Sequence, residues 1–381
     1  MNFKATMKKS TTTTTKSRKE TLLWALLLCS VWIVLLLMNT LPPKDSFFYL
    51  TDFNLNTAGK YMAYAILALG IDLLWGYTGI LSLGQGIFFG LGAYCMGMHL
   101  MLSIGGEGAY QSELPDFMVW NQLEALPFFW KPFDSFVFSM LAVVFVPGFF
   151  AFVFGFLTFR SRIKGVYFSI ITQALALTVW LLFNQNTMNL GGTNGLTDFK
   201  SILGFSLGEA STQRMLFVAT GVCLVLAFLL CRYITESRLG KVLIAIRDNE
   251  GRIRFSGYSA SQYKLFVFVI SAALAGIAGA LYVPQVGIIT PGQIGVLPSI
   301  EMIVWVAVGG RGTLIGAILG AVGVNWARSF LTSNYPDLWL YFLGALFVGV
   351  VLYFPKGMWE VSARIKALFS RRFKKQGFVE H

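Results

Sequence analysis

Charge is what this sequence has least of. Only 13% of its 381 residues are Asp, Glu, Lys or Arg, whereas 56% are hydrophobic. A water-soluble domain covers its surface with roughly 25–35% charged residues, so the composition excludes an ordinary soluble fold and leaves a polytopic membrane protein. Histidine is nearly absent, with His99 inside an apolar run and His381 at the chain end. No nucleophile elbow, paired carboxylates or ligand cluster occurs, which excludes an enzyme site and a resident metal or cofactor. The four cysteines, Cys29, Cys95, Cys223 and Cys231, lie in or beside apolar runs without a CxxC pair. Disulfides and zinc are both poor readings of that pattern.

Nucleotide signatures are missing too. Gly84-Gln85-Gly86 followed by Gly90 has the outline of a dinucleotide fingerprint, but it is embedded among Phe88, Phe89 and Leu91 with no soluble strand ahead of it. Gly240-Lys241 lacks the earlier glycine of a phosphate-binding loop, position 235 being Thr, and Val242 follows it. The chain is therefore expected not to hydrolyse ATP itself. Acidic residues number 18 against 30 basic ones, a net charge of +12. The basic residues sit in tails and short loops beside apolar runs, where they set membrane orientation; nucleic acid is not an expected partner.

What is present is a series of apolar runs. Segments 22–41, 57–75, 80–102, 136–157, 165–183, 214–231, 265–283, 298–310, 313–331 and 337–354 predict ten membrane helices. The first is too long for a signal peptide and has no small-x-small cleavage site after it, so it reads as an anchor. An even count leaves both termini cytoplasmic, with Arg160, Arg162, Lys164 and Arg311 in inner loops and the acidic 103–135 stretch outside. The organisation is a basic tail (1–20), helices one to six (21–231), a charged cytoplasmic loop (232–264), helices seven to ten (265–355) and a second basic tail (356–381). Within the charged loop Val242, Leu243 and Ile246 form an apolar pattern, so this loop folds as short helices.

Two runs are weak. Segment 298–310 is short and contains Glu301, and 80–102 is interrupted by Gly84, Gly86, Gly90 and Gly92. Short or glycine-broken helices are where transporters place their pathway. Gly312, Gly316 and Gly320 form a ladder of small residues, and Gly276 and Gly279 lie in a similar Gly/Ala-rich stretch; both patterns predict close helix packing. Polar residues inside the spans are few. Asp72 and Glu301 serve either a pathway or a structural hydrogen bond. No chain of carboxylates and histidines appears, which counts against an ion-coupled secondary transporter working alone.

The motifs GYTGILSLGQG (76–86), SRLGKVLIAIRDNE (237–250), SGYSASQYKLFVFVISAALAGIAGAL (256–281) and GGRGTLIGAILGA (309–321) resemble the membrane permease subunits of branched-chain-amino-acid-type ABC importers, over residues 60–357. SLGQG with Gln85, GGTNGLTDF (191–199), and RIRFSGY (252–258) with VPQVGIITPG (283–292) are similar to the urea-transporting branch of that family. The resemblance implies a second permease subunit, two separate ATP-binding subunits, an extracytoplasmic substrate-binding protein, and an inner-membrane location among lipid. It also implies a cytoplasmic loop of pattern E-A-A-x-x-x-G that docks on the ATPase. Glu250 and Gly257 match its ends, with a spacing one residue longer and Gly251, Arg252 and Arg254 where small or apolar residues are usual. Arg247, Asp248, Glu250 and Gly257 are the coupling residues so implied. No Lys or Arg stands deep in a span, which favours a neutral solute such as urea over branched-chain amino acids or short amides. Gln85, Asn194 and Glu301 are the expected pathway residues.

Overall fold

A backbone in hydrocarbon has to satisfy its own hydrogen bonds, and this chain does so as helix. The computed structural model describes residues 3–353 except positions 44, 45, 47, 106, 107, 109, 162 and 164, so the tail 356–381 lies outside the described residues. The long helices are α1 (Phe3–Thr40), α2 (Asp52–Thr78), α3 (Gln85–Leu102), α5 (Phe136–Arg160), α6 (Val166–Phe183), α7 (Ala210–Glu236), α9 (Ala260–Val286) and α11 (Leu314–Asn334). All eight contain a stretch long and apolar enough to cross a membrane. A short α4 (Asp116–Trp120) lies between α3 and α5, α8 (Arg238–Phe255) links α7 to α9, and α10 (Val296–Gly309) and α12 (Trp339–Tyr353) complete the set. Each of the ten predicted runs coincides with a helix, but α10 has only 14 residues and the described part of α12 only 15. The multi-pass membrane architecture is therefore that of the sequence reading, with eight full-length spans among the described residues and two shorter helices.

Local signals set the ends. Thr51 caps α2 by accepting from the Asn54 N–H, and Gly79 closes it in the left-handed region at φ 75°. At the outer edge of the bundle, both ends of α7 are fastened to α1, one near the C-terminal end of α1 and one near its middle. Arg214 donates to the Asn39 amide oxygen at 2.7 Å, and Arg232 donates to the Thr21 hydroxyl at 3.1 Å.

The core is built around α9, which packs on α2, α3 and α5. Lipid gives apolar helices no reason to associate, so contact depends on backbones approaching closely. A Cβ on Gly279 would run into the Phe89 carbonyl of α3, and one on Gly276 into the Val143 carbonyl of α5. Pro147 explains the second contact, because it has no N–H to return to Val143, and the released carbonyl faces Gly276. In the same way Gly316 and Gly320 of α11 close on the backbones of Gly309 and Trp305 in α10. Gly312 is not part of that ladder. It precedes α11, in the turn after α10, at φ 79°.

The two weak runs each follow a segment that is not α-helical, 80–84 before α3 and 287–295 before α10, and they meet. Residues 80–84 are not helical, and their backbone is satisfied by α6: Leu83 N–H donates to the Thr172 hydroxyl at 3.0 Å, and Ser169 donates to the Leu81 carbonyl at 2.8 Å. The segment 287–295 folds back against the start of α3, where the Gly86 N–H donates to Ser299 Oγ at 3.1 Å. A two-residue strand pairing, β1 (Leu196–Thr197) with β2 (Ile288–Ile289), ties the 184–209 loop to it.

Replacing Gly276 by Leu should lower the unfolding free energy of the detergent-purified chain by about 1–3 kcal/mol through overpacking. Gly323→Leu is the control, since a side chain there meets open space; thermal unfolding should move it by less than about 0.5 kcal/mol.

Candidate solute cavity and coupling helix

Toward the N-terminal end of α2 a cavity of about 490 Å³ opens between α2, α9 and α11. It exists because polar side chains recur at helical spacing on otherwise apolar helices: Asn56, Lys60 and Tyr64 on α2, and Asn325, Arg328 and Thr332 on α11. Aromatic rings form its inner wall, with Tyr64 at 5.5 Å from Tyr282 and 4.8 Å from Trp305 between ring centres. Gln285 on α9 donates to Thr220 Oγ1 at 2.7 Å, and its Oε1 has no hydrogen-bond partner among the described residues. Gly59 leaves the room that this amide occupies.

The cavity is electropositive. Arg328 Nη1 pairs with Glu301 Oε2 at 2.6 Å, with the Glu301 side chain only 6% exposed and Arg328 44%. Lys60 lies 6.0 Å from the centre of the Tyr64 ring and has no carboxylate partner among the described residues. Two cations thus face one carboxylate, which is already engaged.

At the other end of α2 lies the charged loop. Within 232–264, α7 runs on to Glu236, α8 follows, and α9 starts at Ala260. Leu243 and Ile246 bury one face of α8, and an extended backbone at Asn249 (φ −157°, ψ 93°) divides it into two segments. Arg247 turns back into the bundle, donating from Nη1 to the Gly76 carbonyl at 2.7 Å. Directly behind that carbonyl, the buried Asp72 accepts the Gly312 N–H through Oδ1 at 2.5 Å. Glu250 pairs with Arg254 at 2.5 Å and with Lys264 at 2.9 Å. The α8 lever is therefore bonded to α2, which holds the α10–α11 turn, and to the start of α9.

Residues 53–351 match the family described as the branched-chain amino acid transport system / permease component. The chain belongs to this permease family. It is 25% identical to the high-affinity branched-chain amino acid transport system permease protein LivM of Salmonella typhimurium, over 80% of this chain and 69% of the relative. It is 24% identical to BraD of Pseudomonas aeruginosa, over 77% and 91% of the two chains, and 22% identical to LivH of Salmonella typhimurium, over 83% and 97%. No solved structure matches it.

In this permease the three expected pathway residues are not brought together. Glu301 reaches the cavity through Arg328. Gln85 is fully buried at the start of α3, with both amide atoms lacking a partner among the described residues. It lies one residue from Gly86, where a Cβ would meet the Gln293 carbonyl, and Gln293 itself lines the cavity. Asn194 is exposed on the 184–209 loop and does not line the cavity. Of the coupling residues, Arg247 bonds to Gly76 and pairs with Asp248 at 3.1 Å, Glu250 pairs with Arg254 and Lys264, and Arg247, Asp248 and Gly257 are exposed, Gly257 at φ 83°. Sequence reasoning missed Lys60, Tyr64, Tyr282 and Arg328, although the polar spacing on α2 and α11 carries a signal. It also missed Phe255, which ends α8 96% exposed.

Lys60 and Arg328 stand near helix ends in the sequence, yet their side chains line the cavity wall. Arg328→Ala should destabilise the permease by about 2 kcal/mol, because Glu301 loses its partner while buried; the value is reduced for the partly hydrated arginine. Adding Glu301→Gln should restore most of the loss in thermal unfolding.

Proposed function

We propose that this chain is one of two membrane subunits of an inner-membrane ABC importer that moves branched-chain amino acids, or solutes of the same zwitterionic kind. The α8 side faces the cytoplasm and the cavity faces a substrate-binding protein. The observation that carries the choice of solute is Lys60, a cation on the cavity wall without a carboxylate of its own. A solute carboxylate satisfies it, and the Tyr64 and Tyr282 rings receive an apolar side chain. Urea, the solute suggested by Gln85 and two other stretches, has no charge to offer Lys60, and the named relatives are branched-chain amino acid permeases.

The driving force enters at α8. Separate ATP-binding subunits grip its exposed face, with Asp248 and Phe255 presented to them and Gly257 allowing the sharp turn after it. Displacement passes from Arg247 to Gly76, from Asp72 to the Gly312 turn, and along the α10–α11 pair to Glu301 and Arg328. About 15 residues of α11 separate Thr313 from Arg328, roughly 20 Å of rigid helix. A hydrogen bond to a charged group contributes about 1.5–3 kcal/mol, the same size as a typical coupling free energy of 1–3 kcal/mol. Losing one link is enough to disconnect the two ends.

Cells carrying Lys60→Gln should take up labelled leucine about tenfold more slowly with folding unchanged, a loss within the range of one charged hydrogen bond. Leucine uptake that is insensitive to Lys60, together with urea uptake that requires this chain, would reverse the choice of solute. In the reconstituted importer, Asp72→Ala should abolish solute uptake while ATP hydrolysis continues. Asp72→Asn, which keeps an acceptor for the Gly312 N–H, should retain most uptake. Equal loss in both variants would refute the hydrogen-bonded link.

A further inference from the structure

A second pocket, of about 450 Å³, lies where α5 ends, α8 ends and α9 begins. We propose that it binds the phosphate headgroup of an anionic phospholipid in the leaflet on the α8 side. Its polar wall carries Arg160, Arg254, Ser259 and Gln262, and its apolar wall Phe156 and Leu265. Arg160 has no carboxylate partner among the described residues, and its guanidinium lies 5.6 Å from the centre of the Phe156 ring. The next charges along the chain, Arg162 and Lys164, are also basic. Arg254 shares the single carboxylate of Glu250 with Lys264. The surroundings of the pocket therefore carry an excess of two positive charges from Arg160 and the Glu250 cluster.

A 27-residue helix starts at the same place. The Ser259 side chain makes no capping bond to α9, so the first N–H groups of that helix add a partial positive charge to the arginines. An anion is the complement of this wall. The apolar side decides which anion. The pocket sits at the border where α5 turns from hydrocarbon to polar loop, and Phe152, Phe156 and Leu157 are exposed just beyond it, with Phe266 on α9. Free phosphate has no use for such a surface, whereas a phospholipid lays an acyl chain on it and leaves its phosphate beside Arg160. Because Arg254 belongs to α8, the bound lipid holds the tip of the lever against the bundle, and transport becomes sensitive to the anionic lipid content of the membrane.

The test uses the full-length chain in a neutral detergent and native mass spectrometry. Added phosphatidylglycerol should be retained in preference to phosphatidylcholine. Arg160→Gln should weaken that retention about fivefold, the effect of one basic residue at a membrane surface, and Arg160→Lys should recover most of it. Arg160 makes no ion pair among the described residues whose loss would unfold the chain, and an unchanged thermal transition verifies this. Equal retention of the two lipids, or retention insensitive to Arg160→Gln, overturns the proposal. So does displacement by inorganic phosphate or by glycerophosphoglycerol at the lipid's own concentration, which would mark a plain anion site. Loss of a co-purifying ATP-binding subunit in Arg160→Gln, with lipid retention intact, assigns the pocket to protein docking and also overturns it.

Discussion

In lipid, two helices adhere only when their backbones come close enough for the packing gain to exceed what lipid tails offer. Everything else here depends on that constraint. Gly276 and Gly279 let α9 touch α5 and α3 at the level of carbonyl oxygens, and Gly316 and Gly320 do the same for α11 against α10. These contacts tolerate no Cβ, so the helices they join move as units. Rigid units joined by a few polar bonds are the construction from which alternating access is made.

The polar bonds are few and lie at element ends. Asp72, Arg247 and Glu250 each tie one segment to another through hydrogen bonds of a charged side chain, Asp72 and Glu250 in poorly hydrated places. Burying such groups is costly unless they are satisfied. The carboxylate of Asp72 meets a backbone N–H that exists in this position because Gly312 adopts a left-handed turn. One glycine thus supplies both the turn and the donor.

Much of this was legible in the sequence, for physical reasons. Apolar runs of about 20 residues have few alternatives to membrane helices, so each expected run coincides with a helix. The glycines of 80–102 do not break the helix, since only residues 80–84 are unwound and Gly86, Gly90 and Gly92 lie inside α3, and the α6 hydroxyls satisfy the unwound backbone; 298–310 is a short but continuous helix. What could not be read was the direction of side chains across helix interfaces. Lys60 and Arg328 look like membrane-edge residues in one dimension, and only the arrangement of α2 beside α11 turns them onto a shared cavity. Gly312 looked like the first rung of a ladder, because a fourfold spacing does not reveal that the helix starts at Leu314. Arg247 and Glu250 look like partner-facing charges in the sequence, and in the fold each also reaches another helix, Arg247 the Gly76 carbonyl of α2 and Glu250 the Lys264 ammonium of α9.

The interruption at Asn249 gives α8 a property that a straight helix would lack. The half before it is bonded through Arg247 to α2, and the half after it through Glu250 to Lys264 on α9. Pushed from below by an ATP-binding subunit, as proposed, such a part would act like a balance beam with two hanging cords. One pull would go to the α2 and α11 walls of the cavity and the other to its α9 wall, so the aperture between them would widen or narrow according to the difference between the two pulls.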